Sequence, residues 1–101
     1  MDNQIKVLGH RVELGEVEAV VRSISGVEAV IALGWPGAGN TDRIELFLEA
    51  DRFDTQALMK QLKTKLPSYM VPSKIRILPR FPLNPNGKYD RGALQRMLPT
   101  T

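Results

Sequence analysis

Apolar and polar residues alternate near the start of the chain, on both sides of residues 8–10. The alternating apolar positions are Ile5, Val7, Val12 and Leu14. A period of two is typical of a half-buried β-strand, and the glycine between the two runs tolerates the backbone angles of a tight turn. We therefore predict a small β-hairpin at this end of the chain.

The pattern then changes to a helical period. The apolar residues that recur at this spacing are Val17, Val20, Val21 and Ile24. The spacing places them on one face of a helix. Gly26 follows the last predicted turn, where a glycine commonly ends a helix. Glu16 and Glu18 are expected near the N-terminal end, where the helix dipole favours acidic side chains.

Further segments have the composition or the alternation of strands. Residues 27–35 are apolar and β-branched and predict a buried strand, and residues 36–40 predict a flexible turn. A second strand is indicated by the alternating residues Ile44, Leu46, Leu48 and Ala50, and a short third strand by Ile75 and Ile77.

A helix is predicted between the second and third of these strands. Asp54 can cap its first turn and Pro67 ends it, and its apolar face consists of Leu58, Leu62 and Leu66. The strand-helix-strand order from residue 43 to 78 suits a right-handed crossover, so part of the sheet should be parallel. We therefore predict an α+β fold, with an N-terminal β-hairpin plus a three-stranded mixed sheet and helices packed against it.

The segment PLNPNGKYDR at residues 82–91 presents one lysine beyond a tight turn. Asn86 and Gly87 tolerate positive φ, so they reverse the chain and direct Lys88 outward. The two prolines should keep this loop out of any regular element. A single exposed ammonium group suits a reaction in which negative charge develops. The same tripeptide is also typical of an exposed lysine at a hairpin tip.

A short helix is predicted to follow this loop. Asp90 can cap it, and Leu94 and Leu98 would lie on one of its faces. The loop with Lys88 would then be closed on its C-terminal side by a helix start.

Composition limits the classes of protein to consider. The chain has 101 residues, enough for one domain, with an ordinary apolar fraction of 43%. The absence of cysteine excludes disulfide scaffolds, thiolate zinc sites and cysteine nucleophiles. The net charge is +3, and the lysines and arginines are scattered among acidic residues along the chain. This distribution favours a solvated surface over a nucleic-acid interface. The first residues have no signal-peptide pattern, and no apolar run reaches the roughly 20 residues that a membrane span needs, so we expect a cytoplasmic protein.

Other candidate motifs fail on their spacing. The Gly87-Lys88 pair lacks the flanking residues of a Walker loop, and the GAG sequence at residues 37–39 lacks the third glycine of a dinucleotide fingerprint. His10 is the single histidine, so a histidine metal cluster or a serine-histidine triad within this chain is excluded. We expect His10 to be a partly exposed turn residue, and we predict no metal site.

Three ordered motifs carry a family resemblance. The opening DNQIKVLGHRVELGEVE at residues 2–18 resembles the start of the small C-terminal subdomain of amino-acid adenylation domains in nonribosomal peptide synthetases. LPSYMVP at residues 66–72 is similar to a second signature of this subdomain, and NGKYDR at residues 86–91 is similar to its closing lysine motif. The resemblance implies that residues 1–101 form one such subdomain, that Asp2 is the hinge, and that the large N-terminal core subdomain is absent.

The resemblance also implies a reaction and its partners. Enzymes of this family use ATP and Mg²⁺, bound mainly by the large subdomain, to adenylate an amino acid, and pass it to the phosphopantetheine of a peptidyl carrier protein. Lys88 would be the catalytic lysine of adenylate formation, after which the small subdomain rotates about Asp2. Gly9 would then approach the pantetheine arm, and Lys6 and Arg11 would contact nucleotide or carrier phosphate. This chain alone is expected to be inactive.

Several alternatives remain open. The chain could belong to an acyl-coenzyme A ligase or a D-alanine-carrier ligase of the same superfamily, or be a noncatalytic module that binds a carrier protein. Gly9 could be a plain turn glycine, and Lys6 and Arg11 could be solvated strand residues. Tyr69 and Pro72 are expected to serve packing. The resemblance leaves the substrate open, because the pocket for the acid would lie on the large subdomain.

Overall fold

A computed structural model of the chain describes residues 4–36 and 42–98. Its elements in chain order are β1 (Gln4–Val7), β2 (His10–Glu13), α1 (Leu14–Ser25), β3 (Val30–Pro36), β4 (Asp42–Glu49), α2 (Thr55–Lys65), a 3₁₀ turn (Ser68–Met70), β5 (Lys74–Leu78) and α3 (Arg91–Arg96). Most of the predicted turn at residues 36–40, and the expected hinge Asp2, lie outside the described residues.

The strands form two sheets. β1 and β2 make an antiparallel hairpin, and the second sheet has the order β3-β4-β5. β3 and β4 are antiparallel, with Val30 opposite Leu48. β4 and β5 are parallel, with Leu46 opposite Ile75, and α2 makes the connection between them. The predicted α+β fold, including the parallel pair, is confirmed.

The ends of the helices are set by the residues that the sequence indicated. Gly26 has a φ of 74° and ends α1 in the left-handed conformation. Asp54 Oδ1 accepts a hydrogen bond from the Ala57 N–H at the start of α2, and Asp90 Oδ1 accepts one from the Ala93 N–H at the start of α3. Each such cap is worth about 1 kcal/mol. The local signals for starting and stopping helices are therefore confirmed.

Three element boundaries differ from the prediction. Leu14 is the first residue of α1 rather than a strand residue, because Glu13 already has the extended backbone of an N-cap. β3 begins at Val30 rather than at Val27, and β4 ends before Ala50. Apolar spacing marks which residues are buried, and a buried residue at a junction fits either neighbouring element.

The three-stranded sheet has an apolar core on each face. The larger core lies under α1 and α2 and includes three alternate residues of β4, namely Ile44, Leu46 and Leu48. The smaller core joins the opposite face to α3 and consists of Ile31, Leu33, Phe47, Phe81, Leu94 and Leu98. Since side chains alternate along a strand, β4 contributes one face to each core. The helices thus pack on both faces of the sheet.

The outer edge of β3 is covered by side chains from α1 and α3. Three backbone groups of the strand are bonded in this way: the Val30 carbonyl to Arg22 at 3.2 Å, the Ala32 N–H to Glu18 at 2.8 Å, and the Gly34 carbonyl to Gln95 at 3.4 Å. Glu16 lies in the first turn of α1 as predicted, whereas Glu18 is buried and 7% exposed. Glu18 therefore serves the sheet edge rather than the helix end.

Candidate functional site

Lys88 lies in a tight turn that Asn84 holds together. The Asn84 N–H donates to the Lys88 carbonyl at 2.8 Å, and the Gly87 N–H donates to the Asn84 carbonyl at 2.9 Å. The Asn84 side-chain Oδ1 accepts from the N–H groups of Asn86 and Lys88, at 2.9 and 3.1 Å. Gly87 has a φ of 78°, a value that favours glycine. The predicted turn is confirmed, and Lys88 is exposed.

The base of this turn is fixed to the sheet. Leu83 and Tyr89 face each other as an isolated antiparallel β-bridge, and the loop between β5 and α3 otherwise joins no helix or strand, as the two prolines indicated. Phe81 is 3% exposed and meets the Tyr89 ring edge-on, with 5.3 Å between ring centroids. The Phe81 N–H donates to Glu49 Oε2 of β4 at 2.8 Å. The lysine is therefore presented by an ordered support.

The hairpin turn between β1 and β2 consists of Leu8 and Gly9, with φ values of 52° and 83°. Two positive φ values in a two-residue loop are typical of a type I′ turn, whose backbone twist matches the twist of the two strands. Leucine rarely adopts positive φ, because its Cβ crowds the backbone. Leu8 is 71% exposed. A Cβ built on Gly9 would have no atom within 4 Å, so the space beside the turn is open on the side of the described chain.

Lys6 and Arg11 lie directly opposite each other on the hairpin, and both are exposed. Their sequence neighbours Ile5 and Val12 point the other way and pack in the larger core. Two like charges directly opposite each other on a hairpin are unfavourable. The register thus places two cationic side chains on the same face of the hairpin. The Lys6 N–H also donates to Asp42 Oδ2 at 3.2 Å, which ties β1 to β4.

Two contacts hold the hairpin on the rest of the domain. The His10 and Tyr69 rings stack, with 3.9 Å between centroids and 11° between planes. The Ile5 side chain occupies the space beside Gly34 of β3, so a Cβ at Gly34 would overlap it. His10 is an exposed strand residue of β2 rather than the turn residue that we predicted. Tyr69 packs on the larger core and Pro72 is buried, as their expected packing roles require.

The structure groups some of the candidate residues and separates others. Lys6, Gly9 and Arg11 share the hairpin, whereas Lys88 lies on a second turn, between β5 and α3. Asp2 lies outside the described residues. Within residues 4–36 and 42–98, no group of acidic or histidine side chains could hold a metal ion. In the same part of the chain, no helix has both the length and the apolar character needed to cross a membrane.

The arrangement can stabilise negative charge, and Lys88 is exposed on the surface of the described part of the chain. An ammonium oriented toward a reacting group lowers the energy of a developing anion most when another surface excludes water from the contact. The hairpin cations can bind phosphate oxygens in the same way. Catalysis with these groups would thus require a second surface to complete the site.

Sequence reasoning missed two residues that position this site. Asn84 organises the Lys88 turn, and an asparagine that bonds the backbone two residues ahead is a recognisable turn signal. Glu18 Oε2 lies 3.5 Å from Arg91 Nη1, which links α1 to the segment that follows Lys88. These two residues are 73 positions apart, so the sequence held no local signal for the contact.

The chain matches the model of one protein family over most of its length. The matching model is that of the AMP-binding enzyme C-terminal domain, over residues 16–88. This segment includes most of α1, all three strands of the larger sheet, and the turn up to Lys88.

Individual proteins resemble the chain in sequence and structure. Tyrocidine synthase 3 of Brevibacillus parabrevis is 38% identical over 95 residues, which cover 93% of this chain and 2% of that protein. A four-domain nonribosomal peptide synthetase solved with AMP and glycine is 36% identical, with a TM-score of 0.78 over 92% of this chain and 7% of its own. A Mycobacterium tuberculosis fatty acyl CoA synthetase is 26% identical, with a TM-score of 0.79 over 94% of this chain and 19% of its own. The chain thus spans a small share of each protein.

Proposed function

Because the chain belongs to the family of AMP-binding enzyme C-terminal domains, we propose that it is the small mobile subdomain of an ATP-dependent enzyme that activates an amino acid for nonribosomal peptide synthesis. Its similarity to peptide synthetases, at 38% and 36% identity, supports this choice of enzyme class. A larger N-terminal subdomain would bind ATP, Mg²⁺ and the amino acid. A peptidyl carrier protein with its phosphopantetheine thiol would accept the activated acid.

The observation that carries the proposal is the ordered presentation of Lys88. Its backbone is fixed by Asn84 while its side chain is exposed. In adenylate formation a carboxylate oxygen of the amino acid attacks the α-phosphorus of ATP, and the bond to pyrophosphate breaks. The Lys88 ammonium would lie beside the carboxylate and the α-phosphate oxygens and stabilise the charge that develops there.

The second half-reaction would use the hairpin. The thiol attacks the acyl carbon and AMP leaves, so the product is a thioester on the carrier. For this step the subdomain would rotate about Asp2, which moves Lys88 out of the site and the Leu8-Gly9 turn toward it. The open space beside Gly9 would admit the pantetheine arm, and the facing cations Lys6 and Arg11 would bind phosphate.

The role of Lys88 is tested in the complete enzyme with Lys88→Ala. Loss of one oriented donor typically costs roughly 3 kcal/mol, so adenylate formation should slow about a hundredfold. Amino-acid-dependent pyrophosphate exchange measures this step, and thioester formation from preformed adenylate should be affected much less. Lys60→Ala, at an exposed position of α2, is the matched control and should leave both steps unchanged. Equal losses in the two steps of Lys88→Ala would contradict the assignment.

The role of the hairpin is tested with Gly9→Asn. Asparagine tolerates positive φ, so the turn should persist while a side chain enters the space that the proposal gives to the pantetheine arm. Pyrophosphate exchange should stay near the wild-type rate, and thioester formation should fall at least about tenfold. An unchanged melting temperature establishes that the turn is intact. A folded variant that loads the carrier at the normal rate would refute the proposal that the pantetheine arm passes beside Gly9. Gly9 would then serve only to form the turn.

A coenzyme A ligase is the second candidate, because a fatty acyl CoA synthetase shares 26% identity and the fold with this chain. Pyrophosphate exchange by the complete enzyme separates the two classes. Exchange with amino acids and none with fatty acids supports the peptide synthetase, and the reverse supports the acyl-coenzyme A ligase. A D-alanine-carrier ligase would respond to D-alanine alone. Absence of exchange with any acid, together with carrier binding, would indicate the noncatalytic module.

A further inference from the structure

We propose that Arg43 and Arg76 form a binding site for a phosphate-type oxyanion on the face of the sheet opposite α1 and α2. The proposal is independent of the function assigned above. It rests on a cavity, on a buried carboxylate that two guanidinium groups share, and on the partial exposure of both arginine side chains at the cavity.

The site is a surface cavity of about 280 Å³ lined by Arg43, Glu45, Ser73, Lys74 and Arg76. Three cationic side chains thus surround one carboxylate. Glu45 is two residues from Phe47 along β4, so both point to the same face of the sheet. Phe47 lies in the smaller core with α3, and the lining of the cavity includes no residue of α3. The cavity therefore lies beside this core, on the part of the face that the helix leaves uncovered.

Glu45 is the centre of the cluster and is only 2% exposed. Arg43 Nε lies 3.0 Å from Glu45 Oε2, and Arg76 Nη2 lies 3.3 Å from Glu45 Oε1. Charge balance at a buried carboxylate requires one cation, and here two guanidinium groups contact it. Glu45 therefore holds both arginines at the cavity while neutralising only one of them.

The ion pairs leave bonding capacity unused. Arg43 Nε, Arg76 Nε and Glu45 Oε1 are buried and have no hydrogen-bond partner of acceptable geometry within the described part of the chain. The 3.3 Å contact of Glu45 Oε1 is thus an electrostatic contact rather than an aligned hydrogen bond. A purely structural ion pair in a protein interior stabilises the fold only when its donors and acceptors are satisfied. The Nε atoms are buried, so a ligand in the cavity would contact the exposed parts of the two guanidinium groups, whose side chains are 30% and 24% exposed.

A phosphate-type oxyanion fits these groups. The planar fork of a guanidinium group matches two oxygens of a tetrahedral anion, and two such forks at one cavity favour a multiply charged anion over chloride. Lys74 and Ser73 are exposed residues of the lining and add a mobile charge and a hydroxyl donor. Glu45 repels an incoming anion, so it orients the arginines at the expense of affinity. The ligand could be a free phosphate, a pyrophosphate or the phosphate of a nucleotide.

The test is a titration of the isotopically labelled 101-residue chain with inorganic phosphate, pyrophosphate and AMP at constant ionic strength in chloride. We expect saturable shifts of the Arg43 and Arg76 side-chain resonances and of the Ser73 and Lys74 amides. Arg43→Gln and Arg76→Gln should each weaken the affinity about tenfold, the size of one charge-assisted hydrogen bond. Arg52→Gln, at an exposed position outside the cavity, should change nothing.

Glu45→Gln gives the result that separates a binding site from a structural ion pair. Removal of the carboxylate charge should tighten phosphate binding by about threefold or more, because the anion no longer meets a like charge. Lys74→Gln changes only an exposed side chain, so it should weaken binding without unfolding the domain. It therefore tests the site even if an arginine variant fails to fold.

Stronger binding of AMP than of phosphate assigns the anion to a nucleotide, and the opposite order assigns it to a free anion. The proposal is overturned by an absence of saturation, by equal weakening in Arg52→Gln, or by unchanged affinity in Glu45→Gln.

Discussion

The two exposed turns of the candidate site keep their shape by different means. The Lys88 turn is held locally, since the Asn84 side chain accepts hydrogen bonds from two backbone N–H groups of the same loop. The Leu8-Gly9 turn contains a leucine at positive φ, and the hairpin beneath it is fixed by contacts with Gly34 and Tyr69. We therefore expect substitutions within the loop to disturb the Lys88 turn. The hairpin should instead be disturbed by substitutions in the residues on which it packs.

The largest loss of stability is expected from Gly34→Ala, because Gly34 lies in the part of β3 on which the hairpin packs. Its added Cβ would overlap the Ile5 side chain, and overpacking of this kind costs about 1–3 kcal/mol. For a domain of this size that corresponds to a drop in melting temperature of roughly 5–15 °C. Thermal unfolding followed by circular dichroism measures the change.

Two further variants control the Gly34→Ala experiment. Gly15→Ala makes the same chemical change on α1, where a Cβ meets no atom within 4 Å, and should be neutral or slightly stabilising. Combining Gly34→Ala with Ile5→Ala should cost less than the sum of the two single losses, because Ile5→Ala removes the Cγ2 atom that the new Cβ would overlap. A Gly34→Ala variant that melts at the wild-type temperature would show that the hairpin does not rest on β3 as described.

A smaller, local effect is expected from Asn84→Ala in the lysine turn. The N–H groups of Asn86 and Lys88 would lose their shared acceptor, at a net cost of about 1–2 kcal/mol. Hydrogen exchange of these two amides should become faster by about tenfold, while amides of β1 and β2 keep their rates. Asn84→Asp retains a side-chain acceptor and should keep both amides protected. If protection of the hairpin fell as well, the two turns would not be independently supported.

The smallest effect, and a favourable one, is expected from Leu8→Asn. Asparagine adopts positive φ at lower cost than leucine, and little packing is lost because Leu8 is 71% exposed. We expect a gain of about 0.5–1 kcal/mol in the free energy of unfolding, measured by chemical denaturation. A loss of stability would show that the Leu8 side chain packs. Unchanged stability with slower thioester formation would instead assign the exposed leucine to partner recognition.

Features that depend on neighbouring residues were predictable from the sequence. The caps at Asp54 and Asp90, the αL glycine at Gly26 and the Asn-Gly turn before Lys88 all follow from the conformational preferences of short segments. The crossover that makes β4 and β5 parallel also follows, because the length of the connection permits a helix.

Features that depend on distant residues were not predictable in this way. The burial of Glu45 requires Arg76, which reaches it from the neighbouring strand β5. Glu18 likewise gains its partner Ala32 only when α1 packs along β3. Nothing in the alternation of β4 or in the helical spacing of α1 distinguishes these two glutamates from exposed ones. Which charged residues are buried is therefore decided by the tertiary structure.

The covered edge of β3 also bears on how the molecule behaves among copies of itself. A sheet grows from molecule to molecule when an edge strand offers unpaired backbone groups to another chain. On β3 three of these groups are already bonded to Arg22, Glu18 and Gln95. On the opposite edge strand, β5 carries Lys74 and Arg76, so two copies pairing there would bring like charges together. Both edges therefore oppose strand addition, and the three-stranded sheet is protected against the edge-to-edge association that begins aggregation.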